Sequence, residues 1–490
     1  MVGVPRSKGC LTCRTRKKGC DKAIPTCSQC RKAGLQCAGY SRQPVFVHAT
    51  ATNNGTLSKV DAAARPWSSK YTKHANRPLR ITPPDALVRT AREQLYTAYL
   101  WHTMTPKHQG PYNELSKQPG ASWARAISEG CVTEPSLRFI AMAWAMGCMA
   151  VDNDDKQMRI KSFQTYNSAV RQLSLALRHD GSFTRDGLIM ASGLMASFEM
   201  IFNTAEEPRV LAWGGHSHGQ LAMFLIRGPA AFTSGDAHQL FVDSRINMAM
   251  LGIGQRKTSP ISSVEWKSVP WMVEPKSARD KLIDAMLDIP ALLEQLTDFR
   301  SCAARCGGRK LRAGYAAIDM ALQSWVNEMG SQIQTFDYTV TGRPVPAPKT
   351  DAEFTLLNLS IIYWFLNMML LSIKASVLEI SGSGAHETLN SLRTVAKKCS
   401  SALLLLFGES SGLSQNITGL LSLSIALRYF LVADKSEQQS EEFLALRALL
   451  GRELAGTSVR QLVTRMGRGI DPLEWGRAGA DDAVDITGWF

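Results

Sequence analysis

Six of the chain's eleven cysteines lie between Cys10 and Cys37. Their spacing reads C-x2-C-x6-C-x6-C-x2-C-x6-C, so Cys27, Cys30 and Cys37 repeat the intervals of Cys10, Cys13 and Cys20. A segment this short has too little apolar material to fold around a core of its own, so the thiols must hold it. Disulfides would require an oxidising compartment. The opening "MVGVPRSKG" has cations but no following apolar run to direct the chain there. The other cysteines (Cys131, Cys148, Cys302, Cys306, Cys399) are scattered and odd in number, a usage suited to a reducing compartment. Metal is therefore the better account.

Zinc suits thiolates and takes four of them in a tetrahedron. Six thiolates exceed the need of one ion and fall short of two separate tetrahedra. If two sulfurs each bridge both ions, all eight ligand positions are filled. Cys10 and Cys27 open the two halves of the repeat, so symmetry makes them the bridging pair. One ion would take Cys10, Cys13, Cys20 and Cys27, the other Cys10, Cys27, Cys30 and Cys37, leaving a cluster of net negative charge for nearby cations to offset. Such a module folds only with its metal.

Charge is concentrated in the same place. Residues 1–48 carry ten Lys or Arg and one acid, Asp21, whereas the other 442 residues carry 46 cations and 41 acids. This is the footprint of a polyanion partner. A short helix after Cys13 would put Arg14, Lys17 and Lys18 on one face, and a lysine there can donate to guanine O6 and N7 in the major groove.

At these residues the chain resembles the fungal Zn(2)-C6 binuclear cluster transcription factors. The resemblance rests on all six cysteines and their intervals, on "CRTRKKGCD", on Pro25 and on "GLQCAGY". It implies a nuclear regulator of RNA polymerase II transcription that holds two Zn2+ ions and reads CGG-like triplets in double-stranded DNA. It further implies that Lys17 reads bases while Arg14, Arg16, Lys18, Arg31 and Lys32 hold the backbone. Pro25 matches a family proline in the loop between the halves, often cis. Gly19 departs from the family, which usually has Lys or Arg before the third cysteine; one phosphate contact is missing there. The RTRKK run also suits nuclear import.

Residues 1–40 thus form the DNA-binding module, and 41–83, rich in Ala, Ser, Thr, Asn and Pro, read as a flexible basic linker. No sustained heptads follow, so a monomer or a homodimer joined through the C-terminal part is as well supported as a zipper. From Thr82 the pattern turns helical. In "TPPDALVRTAREQLYTAYLW" a stripe of Leu87, Ala91, Leu95 and Ala98 recurs. Phe163, Tyr166, Val170, Leu173 and Leu177 make another, and apolar runs occupy 134–151, 186–203, 354–380, 399–407 and 416–434. Residues 354–373 hold no charge, and they read as a buried central helix rather than a membrane span.

A second resemblance lies in this part. Trp213, His216, Gly219, Arg227, Gly228, Pro229, Leu240, Phe241 and Arg245, with "EWKSVPW" and "LIDAMLDIPALL" downstream, look like the fungal-specific transcription factor domain. The fold class expected is thus a small metal-stabilised zinc-cluster module plus a large all-α helical regulatory domain over 84–465. Residues 466–490 form a flexible tail whose "DDAVDITGWF" could meet the transcription machinery or co-regulators. Gly215 to Gly219, GHSHG, also matches the G-x-S-x-G hydrolase elbow around Ser217, without the alternating strands that elbow requires. The chain is read as non-enzymatic. A zinc-fold adaptor acting on another regulator is the alternative from a different class.

Overall fold

The computed structural model describes residues 9–39 except 24, 85–104, and 127–451 with breaks at 128, 180, 203–209, 307, 409–410, 434–435 and 437. The expected linker, the expected helix start at Thr82 and the acidic-aromatic tail lie outside the described residues. The chain divides into two compact units, Met1–Ile81 and Thr82–Phe490.

In the first unit each half of the cysteine repeat carries one short helix, α1 (Leu11–Thr15) and α2 (Ser28–Lys32). The second unit contains no strand among its described residues. Its long helices are α3 (Asp85–Met104), α4 (Pro135–Asp152), α5 (Lys156–Ala176), α6 (Asp186–Phe202), α7 (Val210–Arg227), α8 (Gly235–Gln255) and α9 (Ala278–Cys306). They continue with α10 (Arg309–Met329), α11 (Asp351–Ile380), α12 (His386–Leu406), α13 (Leu413–Arg428) and α14 (Glu441–Leu449).

Local chemistry sets several of these boundaries. Asp155 caps α5 by accepting the N–H groups of Gln157 and Met158, both at 2.9 Å. Thr350 and Glu353 form a reciprocal capping box at the start of α11. Pro290 sits inside α9, and Gly252 of α8 faces it: a β-carbon there would lie 2.9 Å from Pro290 Cγ. Only a residue without a side chain lets these two helices approach so closely.

One apolar core runs through the unit, and α11 packs against α9, α12 and α13 within it. This helix is long and apolar enough to cross a membrane, yet 72% of its apolar window is buried in the core. Two polar side chains along it bond back to the helix, Ser372 donating to Met368 O at 2.8 Å and Asn367 to Tyr363 O at 2.8 Å, and Asn358 accepts from Thr418 of α13 at 3.2 Å.

One expected apolar face is corrected, and a second holds except at its last position. On α3, Ala91, Leu95 and Ala98 are exposed, and the buried positions are Leu100 and Met104, with Tyr96 and Tyr99 packed partly against the core. The side chain of Leu87 is outside the described residues. Tyr99 also donates to the Asp152 carboxylate at the end of α4, which turns the aromatic side inward. On α5, Tyr166, Ala169 and Leu173 are buried and Phe163 and Val170 half-buried, but Leu177 is exposed because it caps the helix.

Candidate metal centre and nucleic-acid interface

The two helices of the first unit begin in the same way. Cys10 and Cys27 are N-caps, and their sulfurs accept the N–H groups of Cys13 and Cys30 at 3.3 and 3.4 Å. A single turn therefore presents both thiols of each C-x2-C step to one side. Cys10, Cys13, Cys27 and Cys30 are fully buried, with Cys20 and Cys37 packed partly against them.

The sulfurs gather in two groups of four, Cys10, Cys13, Cys20, Cys27 and Cys10, Cys27, Cys30, Cys37, all within 4.8 Å of one another in each group. Cys10 and Cys27 belong to both. A zinc–sulfur bond of about 2.3 Å implies a tetrahedral edge of about 3.8 Å. Cys10–Cys27 at 3.7 Å, Cys10–Cys30 at 3.7 Å and Cys13–Cys27 at 3.6 Å fit that edge. Cys13 and Cys30 also approach to 3.9 Å although they belong to different groups. That is closer than outer ligands of edge-sharing tetrahedra stand, so seating two ions turns these two sulfurs apart. The donor set otherwise fits zinc.

The thiols differ in acidity. Burial pushes Cys13 up, and burial together with the neighbouring Cys27 and Cys10 thiols pushes Cys30 up to about 12. Backbone N–H donors near Cys27 and Gly39 bring Cys37 down to about 7. Metal binding must therefore displace protons from the buried thiols.

The cations form the rim. Arg14, Arg16, Lys17, Lys18, Arg31 and Lys32 are all exposed. The expected helical face of Arg14, Lys17 and Lys18 is corrected, because α1 ends at Thr15 and Arg16 caps it. Lys17 N–H donates to Arg14 O at 3.1 Å and Lys18 N–H to Cys13 O at 3.0 Å. This pair of bonds is a Schellman closure, with Lys17 in the left-handed region at φ 52°. The second half closes identically: Gly34 N–H donates to Arg31 O at 3.2 Å and Leu35 N–H to Cys30 O at 3.0 Å, with Gly34 at φ 64°. The repeat interval thus sets Lys17 opposite a glycine and Lys18 opposite Leu35. A left-handed turn readily takes glycine and strains a residue with a β-carbon. The first half accepts that strain and gains a lysine at the tip of its loop. The peptide preceding Pro25 involves Ile24, outside the described residues. A β-carbon at Gly19 would meet nothing within 4 Å, so its lack of a side chain is not required by packing.

Three further contributors were given no role by the sequence, although Asp21 and Gly34 lie within the quoted motifs. Thr12 donates to Gln36 O at 3.1 Å and accepts from Ala38 N–H at 3.0 Å, tying α1 to the end of the second half. Asp21 accepts the Ser28 N–H at 3.0 Å. Gly34 supplies the glycine turn. Superposing the two halves of the repeat would have exposed Gly34; no sequence pattern marks Thr12.

In the helical unit, the motif residues join helices. Gly228, at φ 76°, turns the chain after α7, and Pro229 opens the next turn. Arg227 pairs with Asp186 and lies 4.6 Å from the Phe232 ring centre. Phe241 packs among Phe224, Phe232, Trp266 and Trp271. Arg245 is buried, bonds Asp280 at 3.1 Å and Asp284, and lies 4.4 Å from the Trp271 ring centre. Trp213 is half-buried against the core, while Gly219 sits on α7 facing Ser192 of α6. Leu240 packs partly against the same core. His216 Nε2 lies 2.8 Å from the Tyr166 hydroxyl, while His218 is exposed two positions along the same helix, so the pair does not converge on a metal. Ser217 is buried in the middle of α7, with neither entering strand nor turn, so GHSHG is not a nucleophile elbow.

Comparison with known proteins agrees at the first unit. Residues 8–45 match the fungal Zn(2)-Cys(6) binuclear cluster domain. Pestheic acid cluster transcriptional regulator 3 of Pestalotiopsis fici is 34% identical over 80 residues, covering 16% of this chain and 13% of the relative. An uncharacterized transcriptional regulatory protein of Saccharomyces cerevisiae is 49% identical over 37 residues, 8% of this chain and 3% of the relative. Another from Schizosaccharomyces pombe is 56% identical over 91 residues, 18% of this chain and 16% of the relative. The matches thus span less than a fifth of the curated relatives' lengths. No solved structure matches the chain. Residues 8–45 are a zinc-cluster domain of this type, whose cofactor is a pair of zinc ions.

Proposed function

We propose that the chain is a sequence-specific, DNA-binding regulator of RNA polymerase II transcription that acts in the nucleus. Cys10, Cys13, Cys20 and Cys27 would hold one zinc ion and Cys10, Cys27, Cys30 and Cys37 the other. When bound, the pair would supply cross-linking of the two halves, while the cysteines and their helical turns position the rim.

The observation that carries this reading is the exposed cationic rim, Arg14, Arg16, Lys17, Lys18, Arg31 and Lys32, beside the two cysteine groups. Lys17 stands at the left-handed turn after α1, at φ 52° opposite Gly34; Lys22 is left-handed too, at φ 61° opposite Gly39, so backbone strain alone does not single out a reader. Lys17 donates to guanine edges of a CGG-like triplet, while Arg14, Arg16, Lys18, Arg31 and Lys32 neutralise phosphates. The 84–465 region serves as the regulatory domain, in which the Arg227–Asp186 and Arg245–Asp280 pairs tie neighbouring helices together. The relative named for the pestheic acid cluster supports control of metabolic or secondary-metabolite genes.

The test is a random-sequence DNA selection with the full chain, run with zinc and with a chelator. Enrichment of CGG-like triplets only with zinc is expected, and one triplet against two at fixed spacing distinguishes monomer from homodimer. Absence of enrichment in both arms overturns direct reading and favours an adaptor that acts on another regulator.

A further inference from the structure

The two halves of the zinc module close each other's helices. The first N–H of α1, on Leu11, donates to Gly39 O at 3.1 Å, just past the last cysteine of the second half. The first N–H of α2, on Ser28, donates to the Asp21 carboxylate at 3.0 and 3.2 Å, just past the last cysteine of the first half. Leu11 and Ser28 are equivalent under the repeat interval, so the two contacts form a crossed clasp. In one direction the acceptor is a backbone carbonyl. In the other it is the single acidic side chain among ten cations in residues 1–48.

An acid at the rim of a polyanion-binding module works against affinity, since DNA presents dense negative charge. A neutral side chain could accept the same N–H, because Asn and Ser cap helices as well as Asp does. The charge is therefore an addition to the clasp, with its own consequence.

Resting on the DNA-reading function above, we infer that Asp21 is a positioning residue that sets the specificity of the module. Its carboxylate fixes α2, with Arg31 and Lys32, relative to the segment leaving the reading loop. Its charge lowers the sequence-independent attraction to DNA that every cation on the rim adds. Specific binding needs both halves in register, whereas non-specific binding needs only net positive charge.

The experiment uses full-length wild type, Asp21→Ala and Asp21→Asn, with zinc content per chain measured first. Binding is then read by fluorescence anisotropy on a CGG-containing duplex and on its scrambled counterpart through a salt series. Asp21→Ala is expected to keep two zinc ions, bind the scrambled duplex more tightly and lose about fivefold in the ratio of specific to scrambled affinity. Asp21→Asn keeps an acceptor for Ser28 N–H and recovers most of that ratio, though it too binds the scrambled duplex more tightly. An unchanged ratio in Asp21→Ala overturns the inference, as does loss of zinc in that variant, which would make Asp21 part of the metal scaffold. If wild type shows no preference for the CGG duplex, the DNA-reading function itself fails, independently of Asp21.

Discussion

Replacing Lys17 by glycine separates what the reading loop costs from what it does. Lys17 sits at φ 52° in the closure after α1, and Gly34 holds the equivalent place after α2 at φ 64°. A left-handed backbone costs a residue bearing a β-carbon about 1–2 kcal/mol. Glycine removes that cost but adds about 0.5–1 kcal/mol of chain entropy to be lost on folding. Lys17→Gly should therefore leave the zinc module as stable as wild type or more stable by up to about 1.5 kcal/mol. Lys17→Ala keeps the strain and gains nothing. A lysine contact to guanine is worth about 1–3 kcal/mol, so specific affinity should fall about 5- to 150-fold in both variants. Zinc retention against a graded chelator measures the first quantity, and anisotropy on the CGG duplex the second. If Lys17→Gly gives up zinc more readily than wild type, the strain argument is wrong. If it binds the duplex as wild type does, Lys17 is not the reader.

The reciprocal change, Gly34→Lys, imposes the same strain on the second half less the glycine entropy it recovers, so zinc retention should weaken by up to about 1.5 kcal/mol; the chelator titration checks it. In the helical unit, Arg245→Ala leaves Asp280 buried without its cation and should cost about 3–5 kcal/mol in denaturant unfolding; a shift under about 1 kcal/mol would show that water relieves the site. Gly147→Ala drives a β-carbon to 2.8 Å from two atoms of the Phe202 ring, so α4 and α6 must part, at about 1–3 kcal/mol by the same assay. Burial raises the Asp337 carboxyl, but Lys398 Nζ at 2.7 Å and Thr339 outweigh it and hold it below the usual range. With the folded value depressed, its stabilisation is present above the unfolded value of about 3.9 and is lost as pH falls through the folded one. Asp337→Asn should therefore be less stable than wild type at neutral pH, with the gap closing in acid. Parallel stability curves down to the acid limb would refute that.

Much of the metal site was legible because thiol chemistry is counted in sequence. Six thiolates at repeated intervals admit few arrangements, and symmetry alone singled out Cys10 and Cys27, the two sulfurs that belong to both groups in the structure. The rim was legible as charge but not as geometry. A helical continuation through Lys18 was the natural expectation from local spacing. The chain instead breaks at Thr15, because the buried Cys13 carbonyl is closed by Lys18 N–H and the backbone must turn left-handed to do it.

The all-helical class followed from apolar periodicity, and long uninterrupted runs such as 354–380 sit inside helices that the core buries. Which side of a weakly amphipathic helix faces inward did not follow. On α3 the choice between Ala91, Leu95, Ala98 and the aromatic side was made by a neighbour, Asp152, 53 positions along the chain from Tyr99. The place of Arg245 between two carboxylates of α9 was equally hidden, since a buried cation is tolerated only where partners from another helix meet it. Sequence by itself determined the composition of the cluster, the location of the positive charge and the helical class. These depend on residue type and on spacing within one segment. Tertiary structure alone decided the crossed clasp between the two halves and the inward faces of the helices. Each of those is set by a contact whose partner lies outside the segment itself.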